Sequence, residues 1–231
     1  MVNQRARQNR QRTRITSDRG AEQLNRDETL GDPRFRLLLG ATAWNRLPPA
    51  VRRRFSKRLA GGRTTTYVGQ ILETRMSRLG WLIAQAARLI GAPLPTARDA
   101  LMPATVSVTE DAATGGQVWT RVYGRQSAFP QVIHSAKRFA GPTGLEEYVG
   151  HGVGMALTID TDPGALHFRS RNYFLEAFGL RLDLPRWLGP GQVTVSHVEC
   201  CPGWFLFVLD VSHSLLGQLI HQTALFTERA S

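Results

Sequence analysis

The chain has 231 residues, 42% of them apolar, and a formal net charge of +11. That length supports one sizeable domain whose core needs no covalent staples, and the two cysteines, the adjacent Cys200 and Cys201, are too few for a zinc cluster and too close for an ordinary structural bridge. The longest apolar run, G80-W-L-I-A-Q-A-A87, carries a glutamine and stops at Arg88, far short of the roughly 20 residues of a membrane-spanning helix; with no apolar centre for a signal peptide at the N-terminus, a cytoplasmic protein in a reducing compartment is expected.

The charge sits in the lead. Residues 1–63 contain 16 Lys+Arg and 5 Asp+Glu, and residues 64–231 balance at 13 of each sign. The stretch M1–T16 has five arginines and no hydrophobic period, so residues 1–30 are expected to be a disordered arginine-rich tail, with residues 31–231 as a single domain. Such a tail is usually a solvated extension; its alternative is a weak contact with nucleic acid or anionic lipid.

Within the domain, residues 31–95 read as a helical lead. R34-F-R-L-L-L-G40 predicts a short helix after D32-P33, and L47-P-P-A-V-R-R-R-F-S-K-R-L59 predicts a second, with proline in its first turn and Gly61-Gly62 as its stop. Y67-V-G-Q-I-L72 fits either a strand or a helix entry. Residues 74–90 place Met76, Leu79, Ile83, Ala86, Ala87 and Ile90 on one helical face, ended by Gly91 and Pro93. From Thr105 the period changes to two, with candidate strands at 104–109, 117–124, 131–139, 145–149, 152–160, 165–175, 192–199, 204–212 and 217–226. Short turns such as T161-D-P-G164 suit antiparallel neighbours. The expected class is α+β: a large curved antiparallel sheet or partly closed barrel over 104–226, with the N-terminal helices packed on it.

The polar residues of these strands pose the functional question. Q117-V-W-T-R-V-Y-G124 puts Trp119, Arg121 and Tyr123 on one face, an arginine between two aromatics. Its guanidinium can stack on either ring and fork towards a carboxylate, for which Glu199 is the best candidate, whether as an ion pair or as a ligand anchor. His151, Val153, Met155 and Leu157 share a face, as do Val195, His197 and Glu199, and the odd face of F205–H213 ends at His213. Each apolar face therefore ends in a polar group, which a solvent-facing strand end explains, and so does a mostly apolar cavity with a few converging polar groups. No phosphate loop, nucleophile elbow, H-E-x-x-H or spaced Cys-x-x-Cys occurs, so neither a metal nor a cofactor is expected. His197 and Glu199, about 7 Å apart along a strand, form with His213 the candidate acid and base groups.

The segments R34–G40, L47–R52, R54–L59, G80-W81, A87-R-L-I-G-A-P-L-P95, W119-T-R121, L184-P-R-W-L-G-P190, G203–F207 and H213-S-L-L-G-Q-L-I-H-Q222 stand in the order seen in the bacterial family called domain of unknown function 4166, which the chain resembles over roughly residues 34–226. The resemblance implies that Trp119, Arg121, Pro185, Trp187, His197, Gly203, Phe205, His213, Gly217 and Gln222 are the positions to watch, although Ser214 stands where a proline is expected. It also implies a link to dehydrogenase-like or epimerase-like partner domains. It supplies no chemistry.

The leading expectation is a binding domain for a hydrophobic or acidic small molecule, with Trp119, Arg121, Tyr123, His151, Trp187 and Gln222 around the ligand. The alternative is an enzyme of cyclase or isomerase type on the same scaffold, using His197, Glu199 and His213. The arginine-rich tail as a nucleic-acid or membrane contact is a further alternative.

Overall fold

The computed structural model describes residues 31–61, 63–91, 93–185 and 188–228. The arginine-rich tail lies outside them, as does Trp187.

Helices α1 (Arg34–Leu39), α2 (Ala41–Arg46) and α3 (Pro49–Phe55) come first. Pro49 sits in the first turn of α3, where its missing N–H costs nothing, but the helix ends at Ser56 rather than running on to the paired glycines. The cause is pairing: Lys57 bridges back to Gly31, closing the helical lead into a loop. The lead itself needs correcting, because Thr64–Met76 form a 13-residue strand, β1. Only after Ser77 does the helical face begin, as α4 (Arg78–Ala86) and a 3-10 turn (Ala87–Ile90). Ser77 caps it by accepting a hydrogen bond from the Gly80 N–H at 2.9 Å.

The remaining strands are β2 (Met102–Asp111), β3 (Gly116–Tyr123), β4 (Gln131–Arg138), β5 (Glu146–Gly150), β6 (Val153–Asp162), β7 (Ala165–Ala177), β8 (Leu180–Leu184), β9 (Gln192–Cys201), β10 (Trp204–His213) and β11 (Gly217–Glu228). Ten of them close into an antiparallel barrel in the order β6-β5-β4-β3-β2-β1-β11-β10-β9-β7, with β6 pairing β7 across the seam. β8 hangs on the outer end of β7. Closure goes beyond a curved sheet and removes the exposed edges that an open one would present. It also shifts the class, since the four helices of the described residues are short and serve as covers over the barrel ends rather than as a packed layer.

Alternation decides what fills the barrel. Trp119, Arg121 and Tyr123 all point inward, with 4%, 7% and 4% of their surface exposed, while Thr66, Ser107 and Thr120 face outward. One end is plugged by the N-terminal helices, whose Phe35, Trp44, Leu47, Val51 and Phe55 are buried. The Phe35 ring meets Phe55, Phe139 and Phe168 edge-on at centroid distances of 5.3, 5.0 and 6.0 Å. α4 crosses the opposite end, seated on β1 and β11. It can lie that close because a Cβ on Gly80 would stand 2.1 Å from the Leu219 carbonyl oxygen.

Candidate functional site

Between the plug and α4 the interior divides into layers. Nearest the plug is an aromatic layer containing Trp119, Phe168, Phe205, Phe226 and His197. Above it, in the middle of the barrel, lies a buried charged cluster. Lys137 and Glu147 are direct partners on β4 and β5, with Nζ 3.0 Å from Oε2. The other carboxylate oxygen accepts the Ser135 hydroxyl at 2.6 Å and lies 3.5 Å from Nη2 of Arg121, whose Nη1 donates to Ser135 at 3.1 Å. Aromatic faces flank both cations: Trp119 is 4.8 Å and Phe168 5.2 Å from Lys137, and Trp119 is 5.8 Å and Phe207 5.6 Å from Arg121.

Electrostatics follow from that geometry. Burial alone would raise the Glu147 carboxyl, but Lys137, Arg121 and Ser135 together bring it down to about 2. Lys137 is pushed down from the usual lysine value by burial and by Arg121, against the pull of Glu147. With two cations and one anion, the cluster carries one surplus positive charge when Lys137 is protonated. Arg121 also has five N–H donors, and among the described residues its side-chain hydrogen bonds go only to Ser135 and Glu147.

Above the cluster opens a cavity of about 600 Å³. Arg121, Ser135 and Glu147 form its polar floor, while Tyr123, Ile133, Val149, Val153, Met155, Val193, Val195, Phe207 and Leu209 form its walls. Leu79, Ile83 and Ala86 of α4 and Ala87 and Ile90 of the 3-10 turn cover it, so the helical face read from the sequence is a cavity lining, and Met76 belongs instead to β1. Near the mouth, Tyr173 donates its hydroxyl to the Gly191 carbonyl at 2.8 Å, and burial pushes that hydroxyl up to about 12. His213 stands at the rim, with Nδ1 accepting the Leu215 N–H at 3.2 Å.

The structure places the other sequence-predicted residues apart from this cavity. Glu199 is not the partner of Arg121: it lies at the plug end of β9, ion-paired with Arg54 of α3, whose guanidinium also covers the Phe205 ring. His197 is wedged among Phe55, Phe207 and Phe205 at 4.9, 5.0 and 5.7 Å, below the charged layer and beside a space of about 20 Å³. Burial, followed by the nearby Arg54, Lys137 and Arg121, holds His197 well below the usual histidine value, so it is neutral. His197 lies opposite Phe207, six residues before His213 on β10, so strand rise puts the two histidines about 20 Å apart, and the acid and base candidates do not converge. His151 occupies a turn at φ 47 and is exposed. Gln222 is buried, but its amide donates to Thr74 at 3.1 Å, outside the cavity wall. Trp119 is a shelf beneath Arg121, and of the ligand candidates among the described residues only Arg121 and Tyr123 line the cavity.

Sequence reasoning passed over Ser135, Lys137, Glu147 and Tyr173. A signal existed for two of them: in V132-I-H-S-A-K-R138, Ile133, Ser135 and Lys137 share a face that grows more polar towards the strand end. A constellation on the outer wall was also unforeseen, with His167 2.7 Å from Ser196 Oγ and 3.0 Å from Asp162. Ser196 is paired on both sides, to His167 on β7 and Val208 on β10. Its N–H is therefore tied into the sheet and cannot stabilise an oxyanion.

No curated protein and no solved structure matches the chain. Residues 47–226, most of the barrel and the last of the three helices that plug it, match the model of the family described as Domain of unknown function (DUF4166), and the chain belongs to that family.

Proposed function

We propose that the barrel binds a hydrophobic acid, tail in the apolar cavity and carboxylate on Arg121. The observation that carries this reading is the Arg121 guanidinium at the floor of an otherwise apolar space, in a buried cluster of two bases and one acid that an anion would complete. A volume of about 600 Å³ falls within the usual range of small-molecule sites. A cytoplasmic setting suits the exposed free thiols of Cys200 and Cys201. Proton-transfer catalysis by His197 and Glu199 draws no support from their position beneath the charged layer.

The test is titration with an environment-sensitive fluorescent fatty acid. Arg121→Ala leaves Lys137 and Glu147 as a balanced pair, so the fold should persist, while loss of a charge-assisted hydrogen bond should weaken binding by about tenfold or more. Unfolding of Arg121→Ala together with undiminished binding by partly stabilised protein would assign Arg121 to structure alone. Mass spectrometry of a solvent extract of the native protein would give the acid's identity.

A further inference from the structure

The cavity end of the barrel carries a second feature. Its segments are 77–101, 124–130, 151–152, 178–191 and 214–216, and they hold twelve of the fifteen large apolar side chains exposed among the described residues. Trp81, Leu82, Leu89, Phe129, Leu188 and Leu215 are 43%, 56%, 83%, 93%, 55% and 87% exposed, spread over four separate segments around the mouth. α4 states the problem most sharply. Leu79, Ile83 and Ala86 line the cavity, Gly80 and Ala84 are buried at the barrel, and Trp81 and Leu82 stand in solvent on either side of Arg78 and Gln85, so the outer side of the helix presents two large apolar side chains with no cover.

Charge says what covers it. The described residues of the same segments include five arginines and two aspartates, a balance of +3. Arg78, Arg88, Arg98 and Arg125 take part in none of the ion pairs among the described residues. Arg98 and Arg125 line a surface groove with Trp81, beside the mouth. Scattered apolar tips beside arginines that have no carboxylate partner among the described residues, with an indole at the boundary, match the chemistry of an anionic bilayer surface: acyl chains take the apolar tips and phosphates take the guanidinium groups. The barrel wall is unsuited to lipid, since outward positions such as Thr66, Ser107 and Thr120 are polar, so contact is through the rim alone.

We infer that the mouth docks on an anionic membrane, with α4 and the β10–β11 turn dipping into the interface, and that the cavity exchanges its ligand there. The exchange step rests on the hydrophobic-acid reading; the docking does not.

The experiment uses the full chain with phosphatidylcholine vesicles, with and without phosphatidylglycerol, in a sedimentation assay. Native protein should sediment with the anionic vesicles. The double variant Leu82→Glu, Leu215→Glu, at two positions outside the cavity lining, should lose at least about tenfold in partitioning with an unchanged unfolding midpoint and unchanged fluorescent fatty acid binding in solution. Equal sedimentation of native and double-variant protein would overturn the proposal, as would loss of all vesicle binding on deleting residues 2–30, which would assign the contact to the tail. A native dimer that the double variant breaks, without vesicle binding, would give the face to a second copy. If the vesicles capture native protein but the fatty acid binds nowhere, docking stands and the cavity reading fails.

Discussion

At the scale of single residues, the arginine between two aromatics belongs to a charge balance rather than to a pair. Two buried cations share one carboxylate, so the members should respond unequally to removal. Glu147→Gln strands two positive charges in the interior and should cost about 3–5 kcal/mol in denaturant unfolding. Lys137→Met leaves the balanced Arg121–Glu147 pair and a side chain suited to the space between Trp119 and Phe168, and should cost less than about 2 kcal/mol. Acid should show the same asymmetry. The Glu147 carboxyl is lowered from 4.5 to about 2 on folding, so its stabilisation is complete above pH 4.5 and drains away as pH falls towards 2. Native protein should lose stability across that window, and Glu147→Gln should show a shallower slope. None of this was legible from strand patterns, because Glu147 sits 26 residues from Arg121 with β4 between them. Glu199 offered the more visible carboxylate, on a strand face shared with a histidine, but pairing across the plug claims it for Arg54.

At the scale of elements, period-two alternation marked nine strands because each turns one buried face inward, apolar or aromatic along most of its length even where β3, β4 and β5 add Arg121, Ser135, Lys137 and Glu147 to it. β1 is legible only in part, its residues 67–72 fitting a strand or a helix entry alike, and β8 is not legible at all, for different reasons. β1 has Thr74 as a buried residue, a bulge between Ile71 and Glu73, and an end that runs straight into Ser77 and α4, so its last residues blend into the helical period. β8 is exposed along most of its length and pairs only with β7, leaving no burial pattern to read. The α4 seat makes a sharp prediction. Gly80→Ala would ordinarily favour a helix by about 1 kcal/mol, but here the new methyl meets backbone at 2.1 Å, and the overpacking cost of about 1–3 kcal/mol wins. The variant should melt lower and release a cavity ligand faster, as α4 is lifted from β11. Ser77→Ala, which only removes the cap, should cost about 1 kcal/mol.

At the scale of the whole molecule, the sequence could announce antiparallel neighbours but not closure, since closure depends on β6 finding β7 while β9 pairs β7 across the excluded β8. Nor could it announce that the two ends differ, one filled with rings and the other covered by a single helix. The filled end should govern stability: Phe55→Ala removes a ring packed on Phe35, Phe168 and His197 and should cost about 3–5 kcal/mol, measured by thermal unfolding. The seam has a consequence for time rather than for shape. β7 pairs with β9 only over Ala165–Arg169 and then turns to β8, so beyond that point the two strands are joined by side chains, Ser170 accepting the Val193 N–H and Tyr173 donating to Gly191. A wall sewn by two hydroxyls opens sooner than one held by a ladder. Hydrogen exchange at Val193 should therefore outrun that of the β1–β11 amides, and Tyr173→Phe should quicken it further, giving the barrel a slow side door beside its mouth.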